Sequence, residues 1–287
     1  MPKENIKKGV IFILLTSFLF SSQQTIGKYL YYISSFERTM FLNLFAAIIL
    51  FFYCKSKHIS FEVKHKKKLF FRCLFGFISM VAIFMAATKR FPIANVSLMS
   101  STSTIFSMIV ACLWLKERIN TGQLISIVIA FFGVVCIIKP TGNLIQYEAF
   151  VGLIGGASAG IAYTIVRSLK DESPYLIAFF FSVFGFLASF PLTLIVGYQS
   201  VGFKELGILL LAGIVTALGQ FTLSKAYSYA PSTKISVYLY SQSLFSLLLG
   251  MILFHELPDL ISLFGGTLLI CGGILNFISG KKAYLTR

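Results

Sequence analysis

Charge is what this chain has least of. Asp, Glu, Lys and Arg make up 12% of its 287 residues, roughly half the share of a soluble domain. Carboxylates number only ten against 25 Lys and Arg, and there are three histidines. Five cysteines (Cys54, Cys73, Cys112, Cys136, Cys271) form no Cys-x-x-Cys pair and sit within or at the ends of apolar runs. In such places a cysteine behaves as a small hydrophobe, so a disulfide framework and a metal site are both excluded. The chain has no P-loop, no His-Glu-x-x-His and no aspartate-rich motif, which leaves phosphate-cradling and metal-hydrolase chemistry without carriers. No cofactor and no metal is expected.

What is there is hydrophobic: 57% of residues, with a mean hydropathy of +0.85. A membrane-spanning helix needs ~20 mostly apolar residues. Ten such runs can be traced, at 9–30, 38–54, 70–88, 93–115, 121–138, 150–167, 174–197, 205–225, 232–254 and 259–279. The expected fold class is an all-α integral membrane protein with ten transmembrane helices. The first run is too long and too polar, with Ser21, Ser22, Gln23, Gln24 and Lys28, to be a cleaved signal.

The +15 net charge raises the question of nucleic acid, which its distribution answers. With both termini in the cytoplasm, 19 of the 25 Lys and Arg fall on that side, Arg72 among them. The opposite side receives Lys28, Arg38, Lys89, Arg90, Lys139 and Lys204. That bias satisfies the positive-inside rule for a multi-pass protein of a cytoplasmic (inner or plasma) membrane. The basic block 55–72 is expected to meet anionic lipid headgroups rather than nucleic acid.

Sliding the chain against itself by 139 residues superposes "WLKERIN" at 114–120 on "LFHELPD" at 253–259, with Glu117 on Glu256. Ala87, Pro92, Ser97, Phe106, Ser107, Leu124 and Gly133 likewise fall on Ala226, Pro231, Ser236, Phe245, Ser246, Leu263 and Gly272. At ~100° per residue, the fourth run places Ser97, Ser100, Ser101, Ser103, Thr104 and Ser107 on one face. The ninth run places Ser236, Tyr240, Gln242, Ser243 and Ser246 on the same face, and the outliers Thr102 and Ser241 also correspond. Five spans per half reverse the second half's direction. The chain therefore reads as two inverted five-helix repeats, 9–139 and 150–279, an arrangement found in transporters that bind solute near the midplane.

Other residues follow from helical faces. Ser17, Ser21, Gln24, Thr25 and Lys28 share a face of the first run, and Thr216, Gln220 and Tyr227 share one of the eighth. Gln24 and Gln220 offer donors and acceptors for a polar solute, or else hydrogen bonds between helices. Tyr163 can stack on a planar or cationic ligand. Arg167, on the same face, can attract an anion or snorkel. Gly152, Gly156 and Gly160 form a stripe that favours close helix packing. The candidate solute-binding residues are Ser21, Gln24, Ser97, Ser101, Thr104, Tyr163, Gln220, Ser236, Tyr240 and Ser243. All ten carboxylates fall in predicted loops or at helix ends, which disfavours a central proton relay. Glu37 and Arg38 are expected to form an interfacial ion pair. Glu117 and Glu256 are read as hairpin-setting residues in preference to a gating salt bridge. Asn120 and Gln123 suit a capping box, Pro258 a first helical position, and Asp259 a helix N-terminus.

The order "GLIGGASAGIAYTIVRSLKDESPYLIAFFFS", "GQFTLSKAYSYAPSTKISVYLYSQSLFSLLLGMILFHELPD" and "LFGGTLLICGGIL" resembles the second half of EamA-type members of the drug/metabolite transporter superfamily. "FPIANVSLMSSTSTIFSMIVACLWLKERINTGQLISIVIAFFGVV" is similar to the matching part of their first half. The resemblance implies ten spans, cytoplasmic termini, and a central cavity walled by runs 1, 3, 4, 6, 8 and 9. It further implies transport of a small polar metabolite of the amino acid, nucleoside, amine or S-adenosylmethionine class, as an exporter or otherwise. A monomer is expected. The alternative is a polytopic membrane enzyme acting on a lipid-linked or small-molecule substrate. That reading has no acid, base, nucleophile or metal cluster to support it.

Overall fold

The computed structural model describes residues 5–115, 121–138, 147–230, 235–256 and 258–285. Glu117, Asn120 and Pro231 lie outside the described residues, with the basic residues Lys3, Lys116, Arg118, Lys139, Lys234 and Arg287 and the side chains of Gln123, Lys281 and Lys282.

Every regular element among the described residues is helical: α1 (Ile6–Tyr29), α2 (Ser35–Ser56), α3 (Lys66–Ala86), α4 (Ile93–Ser101), α5 (Ser103–Leu115), α6 (Thr121–Ile138), α7 (Tyr147–Ser168), α8 (Pro174–Val196) and α9 (Phe203–Tyr229). A 3₁₀ turn (Ser236–Tyr240) follows, then α10 (Ser241–Phe254) and α11 (Leu260–Leu285). Seven stretches are long and apolar enough to cross a membrane: α1, α2, α3, Ile93–Trp114 through α4 and α5, α7, α8 and α9. Leu124–Gly133, Tyr238–Phe254 and Leu263–Leu275 are apolar but shorter.

Polarity is distributed inside out. Ile11, Phe18, Phe52, Leu113, Phe131, Leu194 and Leu260 are exposed, while Thr16, Ser21, Asn43, Ser97, Arg72, Gln220 and Ser246 are buried. Water would penalise that outer surface, whereas hydrocarbon accepts it and forces the polar groups to find partners inside. The protein is a multi-pass membrane protein.

The helices pair off, α1 on α9, α3 on α7, α2 on α8 and α6 on α11. The glycine stripe of α7 is packing. A Cβ on Gly160 would meet the Ser103 carbonyl oxygen and the Ser107 nitrogen at 2.7 Å, and Gly156 abuts Met99 and Thr102. Glycine there lets α7 approach the backbone where α4 gives way to α5. That break interrupts what the sequence presents as one span. Thr102 turns its hydroxyl onto the Met99 carbonyl (2.6 Å), the local bond by which Thr competes with a helix ladder.

Connections are tied by side chains. Glu172 accepts the backbone N–H groups of Lys64 and His65 (2.9 and 2.8 Å), holding the chain at the start of α3. Asn5 caps α1 by accepting from Lys8 N–H (3.0 Å). The chain leaves α10 through His255 in the left-handed conformation, φ 53°. Pro258 precedes the helix rather than opening it. Asp259 stands just before α11, its carbonyl accepting the Leu263 N–H (3.0 Å).

Candidate functional site

A small cavity of about 50 Å³ lies inside the bundle. Gln23 and Gln24 reach it from α1, Arg72 from α3, Ser100 from α4, Tyr163 from α7, Phe181 from α8 and Gln220 from α9. Phe181 belongs to the seventh run, which was not expected in the wall, and no described residue of the ninth run lines it.

Three of the ten residues singled out from the sequence therefore line one cavity: Gln24, Tyr163 and Gln220. Another six form a hydroxyl seam. Ser97 donates to the Gln24 amide oxygen (3.0 Å) and contacts Ser246 Oγ (2.7 Å), which also contacts Ser21 Oγ (2.8 Å). Ser101 meets Ser243 (3.0 Å), and Thr104 donates to the Ser236 carbonyl (3.4 Å). The seam joins α1, α4, α5, the 3₁₀ turn and α10 at the edge of the cavity, with the hydroxyls of Ser21, Ser97, Ser101, Ser243 and Ser246 spent on one another. Tyr240 is apart from both groups. It ends the 3₁₀ turn, and its ring packs against Gly273 of α11. The tighter winding of that turn rotates residue 240 away from where a continuous α-helix would carry it.

Arg72 was grouped with the headgroup-facing basic block; the structure corrects this. Lys66, Lys67 and Lys68 are exposed, but Arg72 is 1% exposed and donates to the Gln220 amide oxygen at 2.6 Å. Its guanidinium lies 4.3 Å from the Phe181 ring centroid. The sequence signal was present: Arg72 falls inside the third run, two residues past its first, and Gly76 follows one turn later.

The expected Glu37–Arg38 pair does not form either. Arg38 donates to the Gly27 carbonyl and to the Phe84 carbonyl (2.9 Å), closing the C-terminal ends of α1 and α3, while Glu37 accepts the Gln199 N–H (3.2 Å). A cation at two helix C-termini is better placed than beside its sequence neighbour, because both carbonyl ends carry negative partial charge. The ion pair found among the described residues is Lys28–Glu256 instead. Lys28 Nζ reaches both carboxylate oxygens (2.6 and 2.7 Å) and the Phe91 carbonyl (2.6 Å). Glu256 also accepts the Ile93 N–H (3.2 Å) at the start of α4, a favourable place for an anion. The left-handed His255 aims Glu256 back into the bundle. One carboxylate thus fastens the ends of α1, α4 and α10 together. Arg167 donates to the Tyr227 carbonyl (3.0 Å). A further pocket of about 300 Å³ opens among the connections, beside Tyr31, Tyr32, Arg38 and Tyr147.

The family model for the EamA-like transporter family matches residues 7–139 and again 146–278. The chain is 26% identical over 273 residues to the pseudopaline exporter CntI of Pseudomonas aeruginosa (strain UCBPP-PA14), covering 94% of this chain and 96% of that protein. It is 25% identical to the S-adenosylmethionine uptake transporter of Rickettsia felis, covering 96% and 94%. An uncharacterized transporter of Helicobacter pylori (strain ATCC 700392 / 26695) is 29% identical, covering 95% of each chain. A solved crystal structure shares the fold, with a TM-score of 0.70 at 13% identity, over 96% of this chain and 99% of that one. Two matches that together take in nearly all of an inside-out helical bundle leave one assignment: the chain belongs to the EamA-like transporter family.

Proposed function

We propose that the protein carries a small polar metabolite across the membrane by alternating access around the central cavity. One observation carries this reading. Gln24, Arg72, Tyr163 and Gln220, from four different helices, converge on one cavity inside a bundle whose exterior suits only lipid. Intramembrane polar groups are costly, and a converging set of them marks a solute path. The ten candidate residues divide in this reading. Gln24, Tyr163 and Gln220 meet the solute directly, and the seam of Ser21, Ser97, Ser101, Thr104, Ser236 and Ser243 is the surface along which the bundle opens. Tyr240 supports that seam from behind.

The seven long apolar stretches and the three shorter ones make ten spans, folded as inverted repeats over 9–139 and 150–279. Several paired details support a two-fold relation at the 139-residue offset. Thr102 and Ser241 both stand at a helix break, and each turns its hydroxyl onto the carbonyl three residues back, Met99 and Tyr238. The Gly265 carbonyl oxygen lies 2.7 Å from where a Cβ on Gly133 would be, and the Ser126 carbonyl oxygen 2.9 Å from one on Gly272. At that offset Gly133 becomes Gly272 and Ser126 becomes Gly265, so the two contacts are one contact seen twice. Lys28 also falls on Arg167, and the pairing of α1 with α9 matches that of α7 with α3. Both termini are cytoplasmic in the inner membrane. The exposed Lys66–Lys68 and Phe70–Phe71 rest at its anionic headgroups.

Alternating access gives the Lys28–Glu256 pair its role as the fastening of one mouth, broken when that side opens. The test is counterflow in proteoliposomes of purified protein with a panel of radiolabelled amino acids, nucleosides and S-adenosylmethionine. Accumulation of at least one solute is expected, with loss in Gln24→Ala and in Ser101→Phe. Unchanged flux in both variants would place the solute path elsewhere.

A further inference from the structure

Among the described residues, two buried arginines lack an ion-pair partner; Arg38 is held by two helix-end carbonyls, whereas Arg72 has no such compensation. The Arg72 side chain is 1% exposed, and its Nε has no hydrogen-bond partner. Its polar partner is the neutral Gln220 oxygen, and Phe181 covers its face. Among the described residues, no Asp or Glu lines the cavity. A cation taken out of water without an anion is strongly disfavoured unless something supplies the anion.

The surroundings are shaped to hold the guanidinium there. A Cβ on Gly76 would meet Arg72 Nη1 at 2.5 Å and the Phe181 ring at 2.7 Å, so glycine at 76 is what admits the group. A long cationic side chain near a helix end can snorkel toward the polar boundary, and the neighbouring Lys66, Lys67 and Lys68 are exposed. Arg72 turns inward instead.

We propose that Arg72 anchors a carboxylate of the carried solute, which rests on the transporter reading above and narrows its solute class. The planar fork of a guanidinium matches a carboxylate. With the Gln220 oxygen engaged, its amide nitrogen remains as a further donor, and Tyr163 and Gln24 stand ready for the rest of the molecule. A simple amine would meet a like charge with no carboxylate to offset it. A phosphate dianion would meet only one cation. The solute is therefore an acid or a zwitterion with a free carboxylate, such as an amino acid or a compound that retains its α-carboxylate. The cavity is about 50 Å³, so admitting such a solute requires the helices around it to part.

The test compares L-amino acids, each with its primary amide, and inorganic phosphate, as thermal stabilisers of the purified full-length protein. A ligand bound only by the folded state raises its apparent stability. At least one acid is expected to bind ~10-fold or more tightly than its amide. Arg72→Gln should abolish that preference, while its melting temperature without ligand stays the same or rises. Arg72→Lys, which keeps the charge but not the fork, should retain a weakened preference, and it serves if the glutamine variant fails to fold. The proposal is overturned if amides bind as well as acids, if the preference survives in Arg72→Gln, if only phosphate stabilises, or if no acid does. Counterflow separates the two readings. Flux of amides without acids would sink the carboxylate anchor and leave a transporter. Arg72-dependent acid binding without flux would do the reverse.

Discussion

Replacing Lys28 with Met removes the cation of the Lys28–Glu256 pair and keeps most of its bulk. Lys28 is 3% exposed and Glu256 22%, so the carboxylate left behind stays partly hydrated and keeps the Ile93 N–H. Stranding one partner of a fully buried pair costs about 3–5 kcal/mol; partial exposure reduces that here to ~2–3 kcal/mol. Every 1.4 kcal/mol is tenfold, so the state closed at this mouth should lose ~30- to ~150-fold in population relative to the open one. Ser100, which lines the cavity and is 8% exposed, gives a reporter. With the five native cysteines replaced and Ser100→Cys introduced, an impermeant maleimide should react slowly in the parent protein. It should react at least ~10-fold faster with Lys28→Met, when added on the side of the ion pair. Glu256→Gln should act in the same direction, and the double variant should fall well short of the sum of the two. Equal labelling rates in parent and Lys28→Met, or strictly additive effects, would refute the ion pair as a fastening.

Gly160→Ala should destabilise the protein by about 1–3 kcal/mol in denaturant titration, because the new Cβ would press on backbone atoms of Ser103 and Ser107 that cannot swing aside. Gly133→Ala and Gly272→Ala should cost similar amounts in the same assay, since each faces a carbonyl oxygen of the partner helix at 2.7 and 2.9 Å; a severe loss in one with none in the other would count against the two-fold relation. Ser97→Ala removes the donor to Gln24 and the contact to Ser246, and should lower stability by about 1–2 kcal/mol. Arg38→Met should be more damaging than Arg72→Met to ligand-free stability, because Arg38 closes two helix ends whereas Arg72 leaves only the Gln220 oxygen unpaired.

Local sequence was sufficient for which segments are helical and which of their faces turn inward. Uninterrupted apolar runs require helices in lipid, since no other open chain satisfies its own backbone there. The four-residue spacing of Gly152, Gly156 and Gly160 read as a packing stripe, and the structure packs it on α4 and α5. Faces rich in Ser, Thr and Gln read as interior, and Ser97, Ser101, Gln24 and Gln220 are all buried. Periodicity states which face turns inward but not what it meets there. Whether a hydroxyl faces a cavity or another hydroxyl was decided by helix–helix docking, which spent most of the seam on itself. The breaks at Thr102 and Ser241 depend on one bond to a carbonyl three residues back, and they turned Tyr240 onto α11 in a way a continuous helical wheel could not foresee. Charge partners depended most on tertiary structure. Lys28 and Glu256 are 228 positions apart, and Arg72 and Gln220 are 148. A charge in a membrane protein takes whichever partner packing brings within ~3 Å, so Arg38, beside Glu37 in sequence, went to two carbonyls instead. Composition and periodicity determined that this chain is a helical membrane bundle with a polar interior. Only the packing of its helices decided that the interior holds an unneutralised arginine and that an ion pair ties the ends of α1, α4 and α10 together.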